Sequence, residues 1–207
     1  MKDAFTRART LATDEKWVAE LEKAMSEGNL VRVKELVDEG IIINEGKVIT
    51  RILDSSSDLK IIHRVKSLRQ KLTSDYKQSG NFGWAEADIS GLSKTEYYAH
   101  SGIDELSGTL SQRVPDISLK PQTEIFPWSK VPNSAGYPIA RNIDTEYKIL
   151  TEISLNLSGN PNATGKIILF TERPPCSSCT NVIEIFSKKH PDIELEIIHN
   201  NGITLTN

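Results

Sequence analysis

Both cysteines of this 207-residue chain, Cys176 and Cys179, lie in the short segment Pro175-Cys176-Ser177-Ser178-Cys179. The segment stands between a predicted buried strand and a predicted helix, and a helix N-terminus favours the thiolate form of cysteine. Thiolates bind zinc, and this spacing lets two sulfurs reach one tetrahedral ion at about 2.3 Å. Because the chain has no second cysteine pair, a closed four-sulfur site is excluded. The pair instead fits a catalytic zinc site, which needs three protein ligands and leaves one position for water.

Two residues compete for the place of the third ligand. His100 lies in the stretch Tyr98-Ala99-His100-Ser101-Gly102-Ile103, and Asp144 stands two residues before Glu146 at the start of a predicted helix. We favour His100, because imidazole is the commoner partner of two thiolates at zinc. Asp144, binding through a carboxylate oxygen, is the alternative.

The elements that must position these side chains follow from the apolar pattern of the last third of the chain. It predicts a helix from Asp144 to Leu157, a strand through the apolar run Lys166 to Phe170, a helix after Pro175, and a last strand from Ile193 to Ile198. This order, with its short links, favours a parallel sheet with helices packed against it.

A further pair of strands is predicted upstream. Residues 81–89 alternate as a strand, Gly91 marks a turn, and Tyr97 to His100 opens the returning strand. The segment from Pro115 to Pro138 is rich in loop-forming residues. Its bulky members are compatible with either a short strand or a flap: Ile125, Phe126 and Trp128.

The first part of the chain, from Thr13 to about Leu72, has helical periodicity. Apolar residues recur there at helical spacing: Trp17, Leu21, Met25, Leu30, Val33, Leu36 and Val37. A second helical pattern runs from Asp58 to Leu72. The character of the sequence changes at Ser79-Gly80. We therefore divide the chain into a helical region, 1–79, serving as a scaffold or as a linker to a delivery module, and a catalytic domain, 80–207.

Composition excludes several classes of protein. A formal net charge of −3 provides no basic surface for coating nucleic acid, and the apolar runs are too short for a membrane span. The first residues, Met1 to Arg7, lack the apolar region of a secretory signal, so we expect any export signal to lie elsewhere.

The motifs resemble those of the zinc nucleobase deaminases, whose signature is H-x-E followed by P-C-x-x-C. The second half of the signature is matched in full, and Asp144-Thr145-Glu146 gives D-x-E in place of the first half. Together with Gly80-Asn81-Phe82, the stretch around His100 and the run Phe170 to Cys179, these residues resemble the deaminase toxins of bacterial polymorphic toxin systems. The resemblance spans nearly all of residues 80 to 199.

The resemblance implies a three-layer α/β/α fold of the cytidine deaminase-like type. It also implies a zinc-dependent hydrolytic deaminase acting on a nucleobase, with cytosine in DNA or RNA as the expected substrate and Glu146 as the proton shuttle. Such toxins are delivered by a secretion system to act in the cytoplasm of a rival cell. A cognate immunity protein protects the producer.

Candidates for holding the base are the Ser101 hydroxyl, the backbone at Pro175 and the ring of Trp84. Two other functions stay open. A catalytically inactive deaminase fold would bind a partner without turnover, and the C-x-x-C pair would suit a redox module. The chain after Cys179 is, however, too short for the rest of a thioredoxin domain.

Overall fold

The computed structural model describes residues 20, 23–33, 48–133, 136–157, 160 and 162–206. From residue 48 onward the strands are β1 (Val48–Ile52), β2 (Phe82–Ile89), β3 (Glu96–His100), β4 (Lys130–Pro132), β5 (Pro138–Ala140), β6 (Gly165–Thr171) and β7 (Ile193–His199). The α-helices there are α1 (Leu59–Gln70), α2 (Ser74–Lys77), α3 (Thr109–Arg113), α4 (Thr145–Asn156) and α5 (Ser177–Lys189), and a 3-10 helix (Arg141–Ile143) precedes α4. In the described part of the chain, no helix is long and apolar enough to cross a membrane.

The central sheet is mixed and has the strand order β1-β7-β6-β2-β3. Strands β6 and β7 are parallel, as the sequence predicts for a strand, helix and strand joined by short links. Strand β2 runs antiparallel to both β3 and β6, and Gly91, with φ of +80°, lies in the β2–β3 turn. The predicted strands and helices of residues 80–199 are therefore confirmed. Strands β4 and β5 form a separate hairpin.

Helices cover both faces of the sheet. Successive side chains of a strand point to opposite faces, and an added Cβ at Gly83 would meet the side chains of Thr145 and Ile149, so this face of β2 lies against α4. Its neighbours Phe82 and Trp84 belong to the apolar cluster that includes residues of α1 on the other face. The result is the expected three-layer α/β/α fold.

Helix α1 is part of the same core as the sheet. Its side chains Ile61, Val65 and Leu68 are buried in one cluster with Phe170 of β6 and Ile198 of β7. The helical prediction for this segment is confirmed. The compact unit nevertheless begins at Arg51, well before the Ser79-Gly80 position at which the sequence changes character, because α1 buries its apolar face on the sheet.

The helical prediction for residues 13–72 is wrong at Val48–Ile52, which forms β1. This segment, Val-Ile-Thr-Arg-Ile, is rich in β-branched residues that favour a strand.

The other compact unit comprises residues 1–50. Its described part is helical at residues 23–26 and 30–33, on either side of a turn at Gly28 with φ of +67°. The side chains of Met25 and Leu30 are exposed. Other predicted apolar positions lie outside the described residues: Trp17, Leu21, Leu36 and Val37.

Candidate metal centre

Two helix starts meet beside the end of strand β6. Asp144 is the residue just before α4, and Cys176 is the residue just before α5. Strand β6 ends at Thr171 and the chain passes through two prolines into the cysteine pair. Since α4 and α5 pack on each other and on the same sheet, the fold brings the carboxylate and both sulfurs together.

The distances within this group suit zinc. The Oδ2 atom of Asp144 lies 3.5 Å from the Sγ of Cys176 and 3.2 Å from the Sγ of Cys179, and the two sulfurs are 3.5 Å apart. A tetrahedral zinc ion with Zn–S bonds near 2.3 Å and a Zn–O bond near 2.0 Å separates such ligand atoms by about 3.5–3.8 Å. Two thiols and one carboxylate thus match a three-ligand site in both chemistry and spacing.

Asp144 directs only one of its oxygens toward the sulfurs. The other, Oδ1, lies 3.4 Å from Nη1 of Arg141, and Nη2 of Arg141 donates to the carbonyls of Val131 and Pro132. The Asp144 side chain makes no capping hydrogen bond to the first turn of α4. The carboxylate is therefore oriented by Arg141 and faces the cysteines.

The two thiols differ in acidity because they share a hydrogen bond. That bond lowers the pKa of Cys176 to about 7, whereas it combines with burial to raise the pKa of Cys179 well above its usual value. Cys176 is thus available as a thiolate near neutral pH, the form required of a zinc ligand.

Glu146, on the first turn of α4, is almost completely buried beside this group, with 2% of its surface exposed. Burial, and then the nearby Asp144 carboxylate, raise the pKa of Glu146 to about 7. A carboxyl group with such a pKa can both accept and donate a proton near neutrality. The Thr145 hydroxyl donates to its Oε2 at 2.7 Å.

Two residues next to this group, Asn81 and Thr145, had no role predicted from the sequence. The Asn81 side-chain amide donates to the hydroxyl oxygens of Thr145, at 2.9 Å, and Thr171, at 2.8 Å. Asn81 precedes β2 and Thr171 ends β6. Because β6 is the antiparallel neighbour of β2, both residues lie at the same end of these two strands. A polar residue at the end of each of two paired strands was the available signal.

His100 is not brought to the cysteines. It is buried, with 1% of its surface exposed, and burial lowers its pKa to about 4. Its Nε2 lies 2.7 Å from the Ser79 carbonyl, and its Nδ1 accepts a hydrogen bond from the Gly102 amide at 3.0 Å. Both ring nitrogens are thus engaged in holding the loops at the ends of β2 and β3.

The three predicted base-holding residues occupy different places. Trp84 is buried on the α1 face of the sheet and donates to Glu96, so the sheet separates it from Glu146. The Ser101 hydroxyl accepts a hydrogen bond from the backbone amide of Asn81. Pro175 directly precedes Cys176. Of these residues, Pro175 is adjacent to the metal group in the chain and Ser101 is linked to it through Asn81.

The segment before β4 is a loop that lies against the starts of α4 and α5. The Ser129 amide donates to the Ser178 hydroxyl, between the two cysteines in the chain, at 3.1 Å. Glu124 accepts from the indole of Trp128 at 2.7 Å and from the side-chain amide of Asn142 at 2.6 Å. The sequence left open whether Ile125, Phe126 and Trp128 form a short strand or a flap. In the structure these residues belong to a loop beside the site.

A protein-family model described as "Toxin-deaminase: The BURPS668_1122 family of deaminases" matches residues 65–201. This match includes the cysteine pair, Asp144, Glu146 and the second half of α1. Searches of curated proteins and of solved structures gave no significant match.

Proposed function

The chain belongs to this Toxin-deaminase family, and we propose that it is a zinc-dependent hydrolytic deaminase acting on a nucleobase, with cytosine in a nucleic acid as the substrate. The proposal rests on the group formed by Asp144, Cys176 and Cys179, whose candidate ligand atoms all lie within 4.8 Å of one another. The buried Glu146 lies beside this group. We assign these three residues as the metal ligands, with Asp144 taking the place that sequence reasoning gave to His100.

Asp144, Cys176 and Cys179 would hold the zinc ion, which when bound would supply a hydroxide nucleophile near neutral pH. The protein's part would be to hold the metal ion and to move protons. This division of roles is supported by the composition of the site. Two thiols and one carboxylate are the candidate ligands, and Glu146 is a buried carboxyl group outside this set.

Glu146 takes a proton from the attacking water and passes it to the ring nitrogen next to C4 of cytosine. A second proton follows to the amino group, which leaves as ammonia, so that cytosine and water give uracil and ammonia. The position of Glu146 supports this role, because its carboxyl group is buried beside the ligand group and is not itself a ligand.

The toxin character of the family supports delivery into a target cell and protection of the producer by a cognate immunity protein. A net charge of −3 favours a substrate bound by local contacts at the site over one bound by a broad basic surface. We propose DNA or RNA as the carrier of the base, since the related zinc deaminases of this signature reach a base by extruding it or by acting on a single strand.

The test is a deamination assay on the purified zinc-loaded chain, with cytidine, single-stranded DNA, duplex DNA and RNA as substrates, and with adenine-containing strands as the control base. Uracil and ammonia are measured together with zinc per chain. Glu146→Gln keeps the shape of the side chain and removes the proton carrier. It is expected to bind zinc as the wild type does and to lose roughly 10²–10⁴-fold in rate.

Glu194→Gln, an exposed carboxylate on β7, is the matched control and is expected to keep full activity. A Glu146→Gln protein with near wild-type turnover would contradict the assignment. A wild-type protein that holds no zinc, carries a Cys176–Cys179 disulfide and releases no ammonia would favour an interaction or redox role instead.

A further inference from the structure

The orientation of the Asn81 side-chain amide is fixed by the backbone. Its Oδ1 accepts a hydrogen bond from the Arg173 amide at 3.1 Å. The reversed orientation would direct the NH₂ group at another N–H donor. The two amide hydrogens of Asn81 therefore point to the hydroxyl oxygens of Thr145 and Thr171, at 2.9 and 2.8 Å.

This fixed amide also determines the direction of the next hydrogen bond. The Thr145 hydroxyl has a single hydrogen, and its oxygen already accepts from Asn81. The hydrogen is thus directed at Oε2 of Glu146, 2.7 Å away. The side chains of Thr145 and Glu146 are both buried, so water does not compete for these groups.

Close packing keeps the Thr145 side chain in this place. A Cβ added at Gly83 of β2 would come within 2.7 Å of the Thr145 Cβ and 3.0 Å of its Oγ1. Glycine at this position lets α4 approach the strand closely enough for Asn81, just before β2, to reach Thr145.

We propose that Thr145, itself oriented by Asn81, is a positioning residue that holds Oε2 of Glu146 and leaves Oε1 as the oxygen that carries the proton. This inference rests on the proposed deaminase function. Oε2 accepts a permanent hydrogen bond and so stays occupied, while Oε1 receives the proton of the attacking water and delivers it to the substrate. The rotation of the Glu146 carboxylate about its last side-chain bond therefore stays fixed during the reaction.

The consequence is a specific requirement for the hydroxyl of Thr145. Without it, the Glu146 carboxylate keeps the hydrogen bond from its own backbone amide but loses the one that holds Oε2. A displacement of about 1 Å at a proton carrier costs up to about 100-fold in rate. Zinc affinity and substrate affinity do not depend on this hydrogen bond. The loss therefore falls on kcat.

The experiment compares Thr145→Val, which removes the hydroxyl and keeps the shape, with Thr145→Ser, which keeps the hydroxyl. Thr145→Val is expected to reduce kcat about 10- to 100-fold with KM and zinc content within about twofold of wild type, and Thr145→Ser is expected to restore most of kcat. The matched control is Thr151→Val. Thr151 is equally buried on the same helix, but its hydroxyl has no hydrogen-bond partner in the described structure, so kcat is expected to be unchanged.

A second readout does not require turnover. Crystal structures of wild type and Thr145→Val are expected to show the Oε2–Oγ1 contact at about 2.7 Å in the first and a rotated or disordered Glu146 carboxylate in the second. Equal kcat values for wild type and Thr145→Val, or a wild-type crystal structure in which Thr145 does not contact Glu146, would overturn the inference. Absence of turnover in the wild type, with the contact present in the crystal, would overturn the proposed function and with it the role in proton transfer.

Discussion

Asp144 occupies the position of a helix N-cap but does not act as one. An aspartate there normally accepts a hydrogen bond from an amide of the first turn, which is worth about 1 kcal/mol. In α4 no such bond is made, and the carboxylate faces the two thiols. Its removal is therefore expected to affect the metal group far more than the start of the helix.

Replacing Asp144 by asparagine tests the third ligand. Asn has nearly the same shape, but its neutral amide oxygen is a much poorer zinc ligand than a carboxylate, so zinc affinity is expected to fall about 100-fold or more. His100→Gln is the comparison, and it is expected to keep one zinc per chain. The measurement is zinc content after equilibration with a competing chelator. A loaded Asp144→Asn protein together with an empty His100→Gln protein would restore His100 as the ligand.

The choice between these two residues shows a limit of sequence reasoning at the level of single side chains. The frequency of imidazole at zinc favoured His100. The geometry favours Asp144, because the ring nitrogens of His100 face the Ser79 carbonyl and the Gly102 amide. Those contacts depend on loop conformation, for which the sequence carries no periodic signal.

At the level of elements, the apolar periodicity was sufficient to predict β2, β3, β6, β7, α4 and α5. It did not indicate which long-range polar contacts join these elements. The clearest case is the ion pair of Arg69 on α1 with Glu172, which follows β6. Both side chains are 1% exposed, and Arg69 reaches Glu172 through two nitrogens at 2.7 and 3.1 Å.

This ion pair also orders the backbone around it. Glu172 accepts from the amides of Phe82 and Leu205, while Arg69 donates to the carbonyls of Tyr76, Ser79 and Gly80. The segment that begins at Glu172 leads to the cysteine pair, and the segment that ends at Gly80 leads to Asn81. The pair thus joins α1 to both ends of the site.

Arg69→Met is expected to lower the free energy of unfolding by about 3–5 kcal/mol, because it leaves the Glu172 charge buried without its partner. Arg64→Met on the same helix is the control. Arg64 pairs with Glu96 at a partly exposed position, where the loss of an ion pair costs about 1 kcal/mol or less. Urea unfolding of both variants measures the difference. Equal losses in the free energy of unfolding would show that the buried ion pair stabilises the fold no more than the partly exposed one does.

For the whole molecule, the sequence indicated a division at Ser79-Gly80, because aromatic and short extended stretches begin after it. In the structure, α1 lies in the core of a compact unit that runs from Arg51 onward, so the division at Ser79-Gly80 stays a prediction to be tested. Helical periodicity identifies an amphipathic helix but not the surface that covers its apolar face. The match to the family model begins at residue 65, within α1, and so extends upstream of Ser79-Gly80.

Two truncations distinguish these divisions. A chain of residues 48–207 keeps β1 and α1 and is expected to unfold in one cooperative transition. A chain of residues 80–207 lacks four buried side chains of the shared cluster: Ile61, Val65, Leu68 and Leu72. Each contributes roughly 1.5–3 kcal/mol by burial, so their combined loss approaches the total stability of about 5–15 kcal/mol of an ordinary domain.

The shorter chain also lacks Arg69, which leaves Glu172 as an unpaired buried charge next to the segment that carries the cysteines. It is therefore expected to lack a cooperative urea transition and fixed near-ultraviolet circular dichroism, and to bind zinc only weakly because its ligands are no longer held together. The longer chain, measured beside it under the same conditions, serves as the reference. Cooperative unfolding of residues 80–207 with a stability close to that of residues 48–207 would show that α1 is a separate attachment rather than a layer of the fold.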